Sequence, residues 1–147
     1  RLSYLVGLLR RDAGFYELLG LPMDASPSLV KSRYREIAFE IHPDRVPADL
    51  AAASREVFAQ VVEGYHTLSK ERLRTAYDRT VVLSGKWENI GDIRTVVPQL
   101  ERRRELLSRL RLNDLALEYS RMIATLSVGR TAAGTMYRDE ESHRVNN

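Results

Sequence analysis

The chain has 147 residues, 44% of them hydrophobic and 29% charged, with a formal net charge of +3 and no cysteine. That composition excludes disulfides, zinc ribbons and thiol nucleophiles, and no apolar run approaches the roughly 20 residues needed to cross a bilayer. A length of this order suits one compact domain with extensions, or two very small ones.

Leu2, Leu5, Val6, Leu8 and Leu9 predict a short amphipathic accessory helix within 1–13, running to about Asp12 and broken by Gly14. The first residue is Arg1 rather than methionine, and no acid occurs before Asp12. This opening resembles the end of a mitochondrial presequence, which gives a mitochondrial expectation with a cytoplasmic alternative. An arbitrary chain boundary with an accessory helix fits equally well.

Gly20 and Pro22 mark a turn, and Ser26-Pro27 reads as an N-cap followed by proline in the first helical turn. The next helix carries Lys31 to Ile41. At about 100° per residue, Val30, Tyr34, Ile37 and Ile41 form one stripe toward a core. Lys31, Arg35 and His42 form a neighbouring cationic stripe, with Glu36 and Glu40 on the other flank. Such a one-sided edge steers docking onto an acidic partner surface, with an attraction that weakens as salt rises. Pro43 lacks a backbone donor and disfavours helical geometry at His42, so the helix is expected to stop there and the His42-Pro43-Asp44 loop to be fixed in direction.

Val46 to Ala53 is read as a loop and helix start. Val57, Val61, Tyr65 and Leu68 then recur at helical spacing, as do Leu73, Ala76 and Tyr77, and these are expected to close a small core against the preceding helix. Tyr65 and Tyr77 read as packing residues with a hydroxyl at a polar edge. Residues 81–97 read as a linker in which Trp87 is an anchor. Ser84 to Gly91 lacks the glycine spacing of a phosphate loop.

From about Pro98 to Leu126 the pattern is helical again, interrupted near Asn113, and either a hairpin or one bent helix fits. Leu100, Arg103, Leu107 and Leu110 are expected on one side, with Leu115, Leu117, Tyr119, Met122, Ile123 and Leu126 continuing the apolar content. Between Gln99 and Arg111, five arginines face two glutamates, an excess equal to the formal charge of the whole chain, +3. A solvated helix face explains this most simply; RNA contact by Arg102, Arg103 and Arg104 is the sharper alternative, without aromatic interleaving to support it. The stretch 129–147 is polar and is expected to be mobile unless a neighbour orders it.

Several blocks agree in order and spacing: Phe15-Tyr16-Glu17-Leu18-Leu19-Gly20-Leu21, Tyr34-Arg35-Glu36-Ile37-Ala38, His42-Pro43-Asp44-Arg45, Glu63-Gly64-Tyr65-His66-Thr67-Leu68 and Arg74-Thr75-Ala76-Tyr77-Asp78. Together they resemble the J domain of the DnaJ co-chaperone family, over roughly Gly14 to Arg79. The resemblance implies an all-α fold, a J-domain antiparallel helical hairpin with short flanking helices over 14–80, here followed by a C-terminal helical extension over 98–128. It also implies a partner, a DnaK-type heat-shock chaperone whose ATP hydrolysis the domain stimulates. His42, Pro43 and Asp44 would contact that partner. Lys31, Tyr34, Arg35 and Arg45 stand where the family places further contact residues, and Phe58 matches an aromatic on the third helix. Glu36 departs from the pattern, since many relatives carry a basic residue there; this bears on the strength of docking and not on its location. Without the zinc-binding region or a long Gly/Phe-rich stretch after Asp78, the chain resembles the minimal class of the family.

Enzyme chemistry finds no support in the residues, and neither a catalytic group nor a cofactor is expected. His42, His66 and His143 are the histidines, none with a metal-ligand partner at helical spacing, and no serine sits in a nucleophile elbow. Three readings remain: a co-chaperone whose C-terminal helices choose client or location, an architectural subunit or assembly factor of a larger complex, and, ranked last, a relative of the iron–sulfur co-chaperones.

Overall fold

The computed structural model describes residues 1–128, so the polar stretch 129–147 lies outside the described residues. Seven α-helices and no strand are found among them: α1 (Leu2–Arg10), α2 (Phe15–Leu19), α3 (Pro27–Ile41), α4 (Ala51–Leu68), α5 (Glu71–Ser84), α6 (Ile93–Arg109) and α7 (113–128). Short 3-10 turns, Ala48–Leu50 and Lys86–Asn89, precede α4 and follow α5. The fold is all-α, as the sequence predicts. No helix among the described residues is long and apolar enough to cross a membrane.

α3 starts where the sequence places its cap. The Ser26 hydroxyl accepts from the Leu29 N–H at 3.2 Å, and Pro27 occupies the first turn, where its missing donor costs nothing. α3 and α4 then run antiparallel. Val30, Ile37 and Ile41 are buried against Val57, Val61 and Leu68, and Tyr34 stacks on Tyr65 with ring centroids 4.2 Å apart and planes 11° from parallel. α2 packs across α4 at Gly64, where an added Cβ would stand 3.1 Å from the Phe15 ring. α1 contributes Leu5 and Leu8 to the same core.

Three helices end alike. After α2, Gly20 at φ 64° lets its N–H reach the Glu17 carbonyl while Leu21 N–H reaches Tyr16, the pair of bonds that closes a Schellman motif. α1 ends the same way at Asp12 (φ 55°) and α6 at Arg111 (φ 61°), each a non-glycine residue in left-handed geometry. The turn at Arg111 decides between the two C-terminal expectations. α6 and α7 form a hairpin, not one bent helix.

Several expectations need correction. α6 begins at Ile93 rather than near Pro98, because Asp92 caps it by accepting from the N–H groups of Arg94 and Thr95 at 2.8 and 3.1 Å. α5 likewise runs on to Ser84, so much of the stretch read as linker is helical, with Trp87 half-buried against the core as an anchor. Leu73, Ala76, Leu110 and Leu117 are exposed. The face that α5 buries is instead Arg74, Thr75, Asp78, Val81 and Val82. Its inner side is polar.

Candidate partner-docking site

The helix-stopping effect of Pro43 is visible in the backbone: His42 leaves helical geometry at φ −54°, ψ 133°. Two ties then shape the loop. The Arg45 N–H donates to the His42 carbonyl at 2.8 Å, and the buried Ser54 hydroxyl donates to the Ile41 carbonyl, fastening the end of α3 to the start of α4. The loop is therefore held at its base, and its tip faces solvent.

At that tip the Asp44 side chain is 91% exposed and that of His42 46% exposed. The Asp44 N–H donates to His42 Nδ1 at 3.2 Å, which identifies Nδ1 as the acceptor nitrogen and leaves Nε2 for outside contacts. His42 also rests edge-on against Phe58, with centroids 5.5 Å apart and planes at 80°. Phe58 thus supports the histidine from below. The Arg45 guanidinium lies 3.4 Å from the centroid of Phe39, a residue that sequence reasoning passed over and that is 59% exposed beside the loop.

Lys31 and Arg35 are exposed and have no ion pair among the described residues. Tyr34, half-buried in its stack on Tyr65, serves the core more than the surface. The structure therefore brings His42, Pro43, Asp44, Arg45, Phe58 and the Lys31/Arg35 edge to one end and one side of the α3–α4 pair. On the other flank Glu36 and Glu40 are not bare: Arg1 reaches both, at 3.3 and 2.8 Å, and Arg33 meets Glu36 at 3.4 Å. No group of three or more metal-capable side chains occurs among the described residues.

Against known proteins, residues 14–78 match the family model described as the DnaJ domain. Residues 14–78 are a J domain. Over 65 residues the chain is 42% identical to the "Chaperone protein DnaJ" of Polaromonas and 45% identical to that of Acidiphilium cryptum, in each case across 44% of this chain and 17% or 16% of the relative. It is 42% identical over 67 residues to the mouse "DnaJ homolog subfamily B member 8", across 46% of this chain and 29% of that protein. The chain thus spans less than a third of the length of these relatives. No solved structure matches it significantly.

Sequence reasoning missed how this J domain is joined to the C-terminal hairpin. Asp78, buried on α5, accepts from the Tyr16 hydroxyl of α2 at 2.5 Å and from the Tyr119 hydroxyl of α7. Arg74 donates to Tyr16 Oη at 3.1 Å and to the Met23 carbonyl at 2.8 Å. Arg103 of α6, 1% exposed, donates to Tyr119 Oη at 3.3 Å and pairs with Glu71 of α5 at 2.5 Å. Arg103 is thereby paired with Glu71, while Arg74 is held by hydrogen bonds to Tyr16 and Met23 with the charge of Asp78 nearby, which lets both guanidinium groups be tolerated inside the fold. Burial pushes the Asp78 carboxyl up to about 6 against the opposing pull of Arg74, Tyr119 and Tyr16, while burial and the neighbouring carboxylate push both tyrosines up, so they remain donors.

The same network corrects the RNA expectation. Arg103 is inside the protein, and Arg102 is paired with Asp24 at 2.5 Å, so the run Arg102-Arg103-Arg104 is not a free cationic face. Gln99 joins the clasp by accepting from the Met23 N–H at 2.8 Å. A buried arginine at helical spacing between Leu100 and Leu107 was the one available signal, since that position points inward.

Proposed function

We propose that this chain is a J-domain co-chaperone that docks on a DnaK-type heat-shock chaperone and stimulates its ATP hydrolysis. The observation that carries this reading is the tip of the α3–α4 pair, where the exposed Asp44 and His42 continue the stripe of α3 that carries Lys31 and Arg35, two cations with no partner of their own among the described residues. Paired cations would have to break a contact before meeting an acidic surface; these do not. Hydrolysis takes place in the partner, and this chain supplies contacts only. The outward sides of α6 and α7 would provide client or location specificity, because their apolar sides are already buried.

Single-turnover ATP hydrolysis by a compartment-matched chaperone, with the chain and with its His42→Gln variant, tests this. Stimulation that the variant abolishes and that declines with added salt is expected. A second reading, an architectural subunit or assembly factor, draws on Glu36 and on the firm attachment of α6 and α7. Absence of stimulation by every matched chaperone would favour it.

A further inference from the structure

We infer that α1 is part of the docking apparatus, with Arg1 acting as a positioning residue that masks the acidic flank of α3. The inference rests on the docking reading above and extends it to a helix that lies outside the J domain.

Around α3, Ile37 and Ile41 face the core, so at about 100° per residue Phe39 points almost directly outward. Arg35 and Glu36 then lie about 50° to either side of that direction. A partner that approaches the Arg35 edge head-on therefore meets Glu36 as well, and Glu40 stands one turn further along the same flank. Two bare carboxylates at that place would repel the acidic surface that Lys31 and Arg35 attract. Like-charge contacts of this kind are what suppress docking.

Arg1 meets both carboxylates from one guanidinium, Nη2 to Glu36 at 3.3 Å and Nε to Glu40 at 2.8 Å. Arg33 reaches Glu36 alone. Arg1 is held there by the burial of Leu5 and Leu8 in the core, which fixes where α1 begins over α3. All three side chains remain partly exposed, so the contact adds little to stability, at most about 1 kcal/mol. Its effect falls on the charge that a partner meets.

The test is the dependence of single-turnover ATP hydrolysis on the concentration of the 147-residue chain. Arg1→Gln is expected to raise the half-stimulating concentration roughly twofold to fivefold at low salt, leaving the saturating rate unchanged. The effect should vanish near 1 M salt, where the screening length falls to about 3 Å. Adding Glu36→Gln and Glu40→Gln to Arg1→Gln is expected to restore the original value, because the carboxylates needing a mask are gone. Thermal unfolding of Arg1→Gln should match that of the parent. Equal stimulation by parent and Arg1→Gln at low salt overturns this inference alone, as does a triple variant that fails to recover. A parent chain that stimulates no matched chaperone overturns the docking reading, and this inference with it.

Discussion

The Tyr119 hydroxyl donates to Asp78 Oδ2, so the helix that closes the C-terminal hairpin supplies one of the two donors to the buried carboxylate of the J domain. Asp78 is shared between three helices, α2, α5 and α7. Its removal should be felt in all of them. Asp78→Ala leaves two buried tyrosine hydroxyls without their acceptor and removes the negative charge closest to the buried Arg74, and it is expected to cost about 3 kcal/mol or more. Tyr119→Phe removes one donor and is expected to cost about 1–3 kcal/mol. Urea unfolding measures both; a Tyr119→Phe change within about 0.5 kcal/mol of the parent would mean that the hairpin is not held through this bond.

Stability should depend on pH through the same carboxyl. The unfolded chain holds the Asp78 proton only below about 4, near the ordinary value of 3.8, whereas the folded chain holds it up to about 6. Between those values the folded state carries more protons, so this group's contribution is fully present below pH 4 and is lost as pH rises through 6. Asp78→Asn has no proton to exchange there. The unfolding free energy of the parent minus that of Asp78→Asn should therefore be larger at pH 4 than at pH 7, and a flat difference across that range would contradict the assignment.

Lys31→Ala and Arg35→Ala separate docking from folding. Both side chains are exposed and unpaired among the described residues, so each substitution is expected to leave unfolding within about 0.5 kcal/mol of the parent. Each should nevertheless raise the half-stimulating concentration, and more so at low salt than at high salt. A drop in melting temperature in step with the docking defect would show that these residues serve the scaffold.

The features legible in the sequence and those hidden in it divide along one chemical line. Ser26, Pro27 and Pro43 act on the backbone next to them, so the start and end of α3 were legible. The stripe Val30, Ile37, Ile41 was legible because apolar residues at helical spacing have few other uses. The ends of α1 and α6 were legible to within a few residues, near Asp12 and Asn113, but their turn geometry was not, because Asp12 and Arg111 occupy left-handed positions that a glycine normally announces. Nor was the inner face of α5, where Arg74 and Asp78 look like surface residues until Tyr16 and Tyr119, 58 and 41 positions away along the chain, complete their partners. Pairing at such range has no local pattern. The Arg1 contact with Glu36 was hidden for the same reason.

Arg111→Gly should stabilise the fold. Arg111 is exposed, and its left-handed backbone costs an L-residue about 1 kcal/mol that glycine does not incur. A midpoint shift in urea of the matching sign, without change of slope, would confirm it; destabilisation would mean that the arginine side chain contributes something the turn geometry does not reveal.

The clasp of Gln99 and Arg102 on Met23 and Asp24 grips the foot of α3, a helix of 15 residues and so about 22 Å long, whose other end carries the loop. Torque applied at that far end passes along one helix and only Ala25 and Ser26 before it reaches the contacts with α6. A fluorophore on the outer side of α7 would accordingly slow its rotation, when a large protein grips the loop, as much as one attached to α4.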